Sequence, residues 1–309
     1  MQNLSMRLAH ARLSSLISLM PGMPVLLAAL VLLLTAGCSM TRLGYASADN
    51  FSYWWLDRFI DFTPEQEAWV REDIREFFAW HRRTQLPDYA QVMAHVETRL
   101  QQPLSAADVR EEFEVIRLRL ERATDYALPA LARLSLSLSE RQIENIERRF
   151  ARNNEKLERE WLRGTLDERR EVRFGNLMKH AEYWFGSFST EQKRQLRALS
   201  DARPLDAETW LAERAQRQQA LLAVLRKIHA ERPEPKTAVR MLRAHVQDVL
   251  DNRSHGGNQA YLDASRQAMA ELIAQVANMA SPEQKEHASR KFRQLIRDSH
   301  ALAGMRAPQ

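Results

Sequence analysis

Asp57 and Asp61 stand four residues apart, a spacing that places two carboxylates on one face of a helix. Like charges so placed repel unless a cation joins them. Arg58 beside them, or Arg82 and Arg83 further along, are the cations at hand. Read as chemistry, a desolvated carboxyl of this pair is a general acid for a hydrolase acting on murein or lipid. Read as structure, the same five residues are an ion network that ties helices together, and this is the simpler reading. Other chemistry is thinly represented. No two of the 9 histidines are three or four residues apart, and no His-Glu-x-x-His occurs, so no metal site is expected. A glycine-rich phosphate loop and a Gly-x-Ser-x-Gly elbow are both absent. Nothing calls for a cofactor, and the expectation is a protein that is not an enzyme.

Cys38 is the only cysteine. It closes an apolar run from Val25 to Ala36, with Arg7 and Arg12 upstream and the small pair Ala36-Gly37 directly before it. That is the layout of a secretory signal peptide. A membrane-spanning anchor is the alternative, but the uninterrupted run is shorter than the roughly 20 residues a span requires. The segment resembles a bacterial lipobox, with Thr35 a less usual residue three places before the cysteine. The resemblance implies that Cys38 receives a diacylglyceryl group, is exposed by cleavage and becomes the lipidated N-terminus. Ser39, where an aspartate would signal inner-membrane retention, implies delivery to the outer membrane, facing the periplasm.

Removing residues 1–37 leaves 272 residues, ample for a sizeable core. Losing Arg7 and Arg12 takes the formal charge from +5 to +3. The charges interleave, as in Glu147-Arg148-Arg149, which reads as a solvated surface and not as a stripe for nucleic acid. With no second cysteine there is no intrachain disulfide, so stability must come from packing.

Those residues sit on helices. Val109, Phe113, Ile116, Leu120 and Ala123 form one apolar stripe, and Ile143, Ile146, Phe150, Leu157 and Trp161 another. The pattern predicts helices near 49–61, 64–84, 87–101, 106–128, 140–163, 165–185, 190–200, 207–231, 236–251, 258–279 and 282–302, with Pro87, Pro129 and the Pro233–Pro235 turn as punctuation. The fold class is all-α: a multi-helix bundle after a cleaved lipoprotein signal peptide at 1–37. A lipidated tether at 38–50 leads to a helical domain at 51–309, with a candidate seam near 200–206. Four of the helices open on one pattern: Thr63-Pro-Glu-Gln66, Ser139-Glu-Arg-Gln142, Ser189-Thr-Glu-Gln192 and Ser281-Pro-Glu-Gln284. Each is a capping box, in which the Ser or Thr oxygen accepts from the N3 amide and the glutamine reaches back to the cap N–H. Leu138 before the second box and Ile143 directly after it, at N4, fit a hydrophobic staple. The pattern resembles the Leu-Thr-x-x-Gln motif of Spy/CpxP-type periplasmic proteins. That likeness implies a helical, ATP-independent chaperone or stress-related protein, although this chain is longer and its boxes are irregularly spaced.

Half of the aromatic residues, 12 of 24, fall between Tyr45 and Tyr89. On a helical wheel Phe51, Trp55, Phe59 and Phe62 form one stripe, and Tyr53, Leu56 and Ile60 another. A helix apolar nearly all round is usually buried. The tether gives a second reading. With up to about 45 Å of extended chain after Cys38, the block reaches lipid headgroups or offers a groove to an apolar peptide. The candidate contact residues are Trp54, Trp55, Phe59, Trp69 and Trp80.

Arg42-Leu-Gly-Tyr45, Tyr53-Trp54-Trp55-Leu56-Asp57, Asp61-Phe62 and Phe78-Ala-Trp-His-Arg-Arg-Thr-Gln-Leu-Pro87 together resemble a family of uncharacterised helical outer-membrane lipoproteins of Gram-negative bacteria. That likeness brings no activity with it. The expectation is therefore a non-catalytic binding or structural role at the periplasmic face of the outer membrane. Its partners are the membrane, through lipidated Cys38, and an envelope protein, peptide or lipid, with no nucleic acid. No feature of the sequence fixes an oligomeric state.

Overall fold

The computed structural model describes residues 42–304 except 43, 204 and 205. The expected signal peptide, Cys38 and the residues up to 41 lie outside the described residues. Among the described residues ten helices follow in order: α1 (Ala48–Ile60), α2 (Pro64–Arg99), α3 (Ala106–Ser137), α4 (Glu140–Trp161), α5 (Leu166–Phe185), α6 (Thr190–Ala202), α7 (Ala207–Glu231), α8 (Pro235–Leu250), α9 (Gln259–Met279) and α10 (Pro282–Leu302). No strand occurs among the described residues. The protein is an all-α helical bundle.

Two long helices organise it. At 1.5 Å per residue, the 36 residues of α2 span about 54 Å and the 32 of α3 about 48 Å. One end of this pair carries the main apolar core, in which Tyr53, Ile60, Val70, Leu128, Ile143 and Ile146 pack with Leu222, Leu225, Ile228 and Leu242. Toward the other end, α10 lies along α2 and α9 along α3. There Leu100 meets Ala277 and Ala288, while Met178, Ala181, Phe188 and Leu196 meet Leu272 and Val276. Both cores draw helices from either side of residues 200–206. That stretch therefore divides no two cores, contrary to the seam expected there.

Pro87 and Pro129 do not end helices as expected; each lies inside one. A proline in a helix interior costs about 3 kcal/mol in a lost hydrogen bond and a ring clash. Flanking burial offsets this. Leu86 and Ala90 around Pro87, and Leu128 and Ala132 around Pro129, are all buried, and a buried leucine contributes about 1.5–3 kcal/mol.

All four Ser/Thr-x-x-Gln sequences form complete capping boxes, at α2, α4, α6 and α10. Leu138 and Ile143 share the main core, as a staple requires. Two further boxes, Ser105 with Asp108 and Thr165 with Glu168, use an acid at N3 and open α3 and α5. The same physics applies to them, but a search for glutamine passes over them.

Candidate functional site

The chain entering α1 is not a slack tether. Arg42 lies in a helical turn that precedes the helix. Its Nε donates to Oδ1 of Asp298 on α10 at 2.6 Å, and Asp298 is buried. Tyr45 is 5% exposed. Its hydroxyl shares a 2.7 Å hydrogen bond with His81 Nδ1, and its ring meets Phe78 edge-on at 5.8 Å. Leu302 and Ala303 close over the same cluster. Burial pushes His81 down to about 4, so the imidazole is neutral, and burial pushes the Tyr45 phenol up. The packed body thus begins by Arg42 and not at Phe51. Within the expected 38–50 tether, the Arg42 and Tyr45 side chains both find partners in the fold.

The aromatic residues divide by environment. Tyr53 and Ile60 are buried, with Tyr53 against Phe62 at 5.6 Å. Trp55 and Phe59 meet at a tilt of 39° with ring centres 4.5 Å apart, and Phe59 meets Phe150 of α4 at 6.0 Å. Trp69 is half-buried beneath the Arg133 guanidinium, 4.4 Å from its ring centre. Trp80 stacks on Tyr126 of α3 at 4.0 Å and 7°. Trp54 alone of the five candidates is exposed, at 49%. It pairs with exposed Phe51 at 6.0 Å and carries the Arg58 guanidinium 4.6 Å above its ring. The expected single contact surface is therefore not assembled. Phe59 joins α1 to α4, Trp69 and Trp80 join α2 to α3, Trp55 meets Phe59 within α1, and Phe51, Trp54 and Arg58 remain at the surface.

The polar candidates also separate. Asp57 Oδ1 accepts from the Phe62 N–H at 3.0 Å, fastening the turn after α1. Asp61 is exposed and pairs with Arg141 at 3.0 Å. Arg82 donates to the Phe78 carbonyl at 3.2 Å, Arg83 is exposed, and Arg58 lies over Trp54. The cation that meets Asp61 is thus Arg141 of α4, and not Arg58, Arg82 or Arg83. The exposed, ion-paired Asp61 is not the water-excluded acid that a hydrolase would need. Of these side chains only that of Asp61 joins two helices, through Arg141 of α4; the others make local contacts or face solvent.

A buried charged cluster escaped the sequence reading. Glu213 of α7 is 0% exposed. Its carboxylate accepts from Ser254 Oγ at 2.6 Å, Asn258 Nδ2 at 2.9 Å and the backbone N–H groups of His255 and Asn258. Burial raises its pKa, but these four donors outweigh burial and hold the carboxyl below its usual range. A Cβ on Gly256 would come within 2.8 Å of Glu213 Oε1, so the loop closes around the carboxylate only with glycine there. Arg217, one turn on, is buried, and its two Nη atoms have no hydrogen-bond partner. The adjacent Gly256-Gly257 was the available signal, since paired glycines permit a close backbone approach.

Residues 58–249 match a family described as a family of unknown function, DUF6279, and the match covers more than half of the 309 residues. The chain belongs to that family. The DUF6279 region runs from within α1 to within α8, so it contains Gln66, Gln142 and Glu213 but not the Arg42 and Tyr45 attachment. No curated protein and no solved structure matches the chain. Among the described residues no helix is long and apolar enough to cross a membrane, and no group of three or more His, Cys, Asp or Glu residues could hold a metal ion.

Proposed function

We propose that this DUF6279 protein is a lipid-anchored envelope protein with a non-catalytic binding or structural role at the periplasmic face of the outer membrane. One observation carries the reading. Arg42 and Tyr45 fasten the chain to α10 and α2, and the lipobox-like Cys38 stands only four residues before Arg42. A lipid on Cys38 would hold the folded body at the membrane instead of letting it range on a long leash. More than one acyl chain makes such an anchor stable, at about 0.8 kcal/mol per buried CH₂. The test is fractionation of cells expressing the full chain or Cys38→Ser. The reading expects the wild type in the outer-membrane fraction and the variant outside it. Equal outer-membrane recovery of both would remove the reading.

A second reading, an ATP-independent chaperone, is favoured by the four glutamine capping boxes. Protection of an unfolding client near stoichiometric ratio supports it, and no protection at large excess removes it. The hydrolase reading gains nothing from Asp57 and Asp61, whose bonds are structural.

A further inference from the structure

We infer that Phe51, Trp54 and Arg58 form a contact surface for the phospholipid headgroups of the membrane that holds Cys38. This rests on the anchored reading above and names the surface of the body that faces the lipid.

The length of chain before the fold decides the occupant. Four residues from Cys38 to Arg42 reach at most about 14 Å. The headgroup zone of one leaflet is itself about 5–8 Å deep, so a body tied this closely cannot lift far from it. The tie is fixed at the protein end, because Arg42 pairs with buried Asp298 and Tyr45 is packed against Phe78 and His81. From Arg42 the chain runs almost directly into α1, and twelve residues at helical rise bring it to Trp54 in about 18 Å. Among the described residues, the first large apolar side chains left exposed along this path are Phe51 at 37% and Trp54 at 49%.

Their chemistry suits that zone. Tryptophan favours the membrane–water boundary, where its ring is half apolar and its indole N–H is wet. Arg58, stacked over Trp54 and exposed, offers a cation to lipid phosphate. Asp57, the neighbouring acid, accepts from the Phe62 N–H, so that carboxylate oxygen is committed to the turn. Phe59, Trp69 and Trp80 are instead engaged with α4 and α3.

The test places the full lipidated chain in vesicles of phospholipid brominated along the acyl chains, which quench tryptophan emission at short range. Wild type and Trp54→Ala are compared, with circular dichroism confirming that both are folded and mass spectrometry reporting the lipid on Cys38. The expected result is quenching in the wild type that is lost in Trp54→Ala. Equal quenching in both proteins, with lipid present on Cys38, would overturn the inference while leaving the anchor intact. Absence of lipid on Cys38 would instead remove the anchored reading, and this inference with it. A Trp54 that is unquenched in vesicles but shielded by a bound protein assigns the patch to a protein partner, which also overturns the inference.

Discussion

Gln142 Nε2 donates to Gln66 Oε1 at 2.7 Å, joining the N-termini of two helices whose glutamines lie 76 residues apart in sequence. Each glutamine also donates to the carbonyl two residues before the other's N-cap: Gln66 to Ser137 at 3.2 Å and Gln142 to Asp61 at 3.1 Å. Gln192 and Gln284 repeat the arrangement at the other end of the bundle. Gln192 donates to Gln284 Oε1 at 2.8 Å and to the Met279 carbonyl at 3.0 Å, while Gln284 donates to the Ser187 carbonyl at 2.7 Å. These carbonyls lie at or just beyond helix C-termini, where four carbonyls have no partner within the helix. One amide therefore caps its own helix and satisfies an orphan acceptor at the corner of a neighbouring helix pair.

Replacing either Gln66 or Gln142 by alanine should cost about 1–3 kcal/mol, because it removes half of a cap and leaves a carbonyl unpaired. In the double variant the two losses should be non-additive by about 0.5 kcal/mol or more, since both act on one network. Urea denaturation of the four proteins in this cycle measures it. Strict additivity would mean that the exchange between the two side chains contributes nothing.

How far the sequence discloses this arrangement depends on the range of each interaction. The helices and their four glutamine caps were legible because a cap is set by residues three apart and an amphipathic stripe by residues three or four apart. The pairing of caps was not, because it joins segments 76 and 92 residues apart. Pro87 and Pro129 misled for a related reason: their local cost is plain in sequence, while the burial that offsets it comes from distant helices. Arg42 and Tyr45 looked like linker because their partners, Asp298 and His81, are reached only on folding. The aromatic block was legible as a block, but not which of its rings stay exposed.

Glu213→Gln should destabilise the protein by about 3 kcal/mol. The carboxamide turns one acceptor into a donor that faces the Ser254, His255 and Asn258 donors. Gly256→Ala should act in the same direction through its 2.8 Å approach to Glu213 Oε1. Because the folded-state pKa of Glu213 is lowered from 4.5, its stabilisation is present above that value and is lost as pH falls through the folded value. Glu213→Gln should therefore flatten the acid limb of stability against pH, measured by chemical denaturation at a series of pH values. An unchanged acid limb would contradict the assignment.

His81 gives a separate pH signature. Its folded value of about 4 lies below the ordinary 6.5, so the unfolded chain binds its proton first. The stability owed to neutral His81 is present above 6.5 and is lost progressively down to about pH 4, by about 3 kcal/mol. His81→Gln, which keeps an acceptor for Tyr45, should remove that part of the slope. A slope identical to that of the wild type between pH 6.5 and 4 would show that the imidazole is not held neutral.

Arg42→Ala should leave buried Asp298 without its cation and cost about 2 kcal/mol, less than for a fully buried pair because the Arg42 side chain is half exposed. Hydrogen exchange should quicken first in residues 42–50, where the attachment is lost. Uniform behaviour across the chain would mean that this pair does not secure the N-terminal segment.

The most direct measurement is mass spectrometry of the N-terminal peptide of the protein purified from the outer membrane. The account predicts a chain that begins at Cys38 and carries a diacylglyceryl thioether and a further acyl group. A chain with Cys38 unmodified, or cleaved at another residue, would contradict the anchored body on which the functional reading stands.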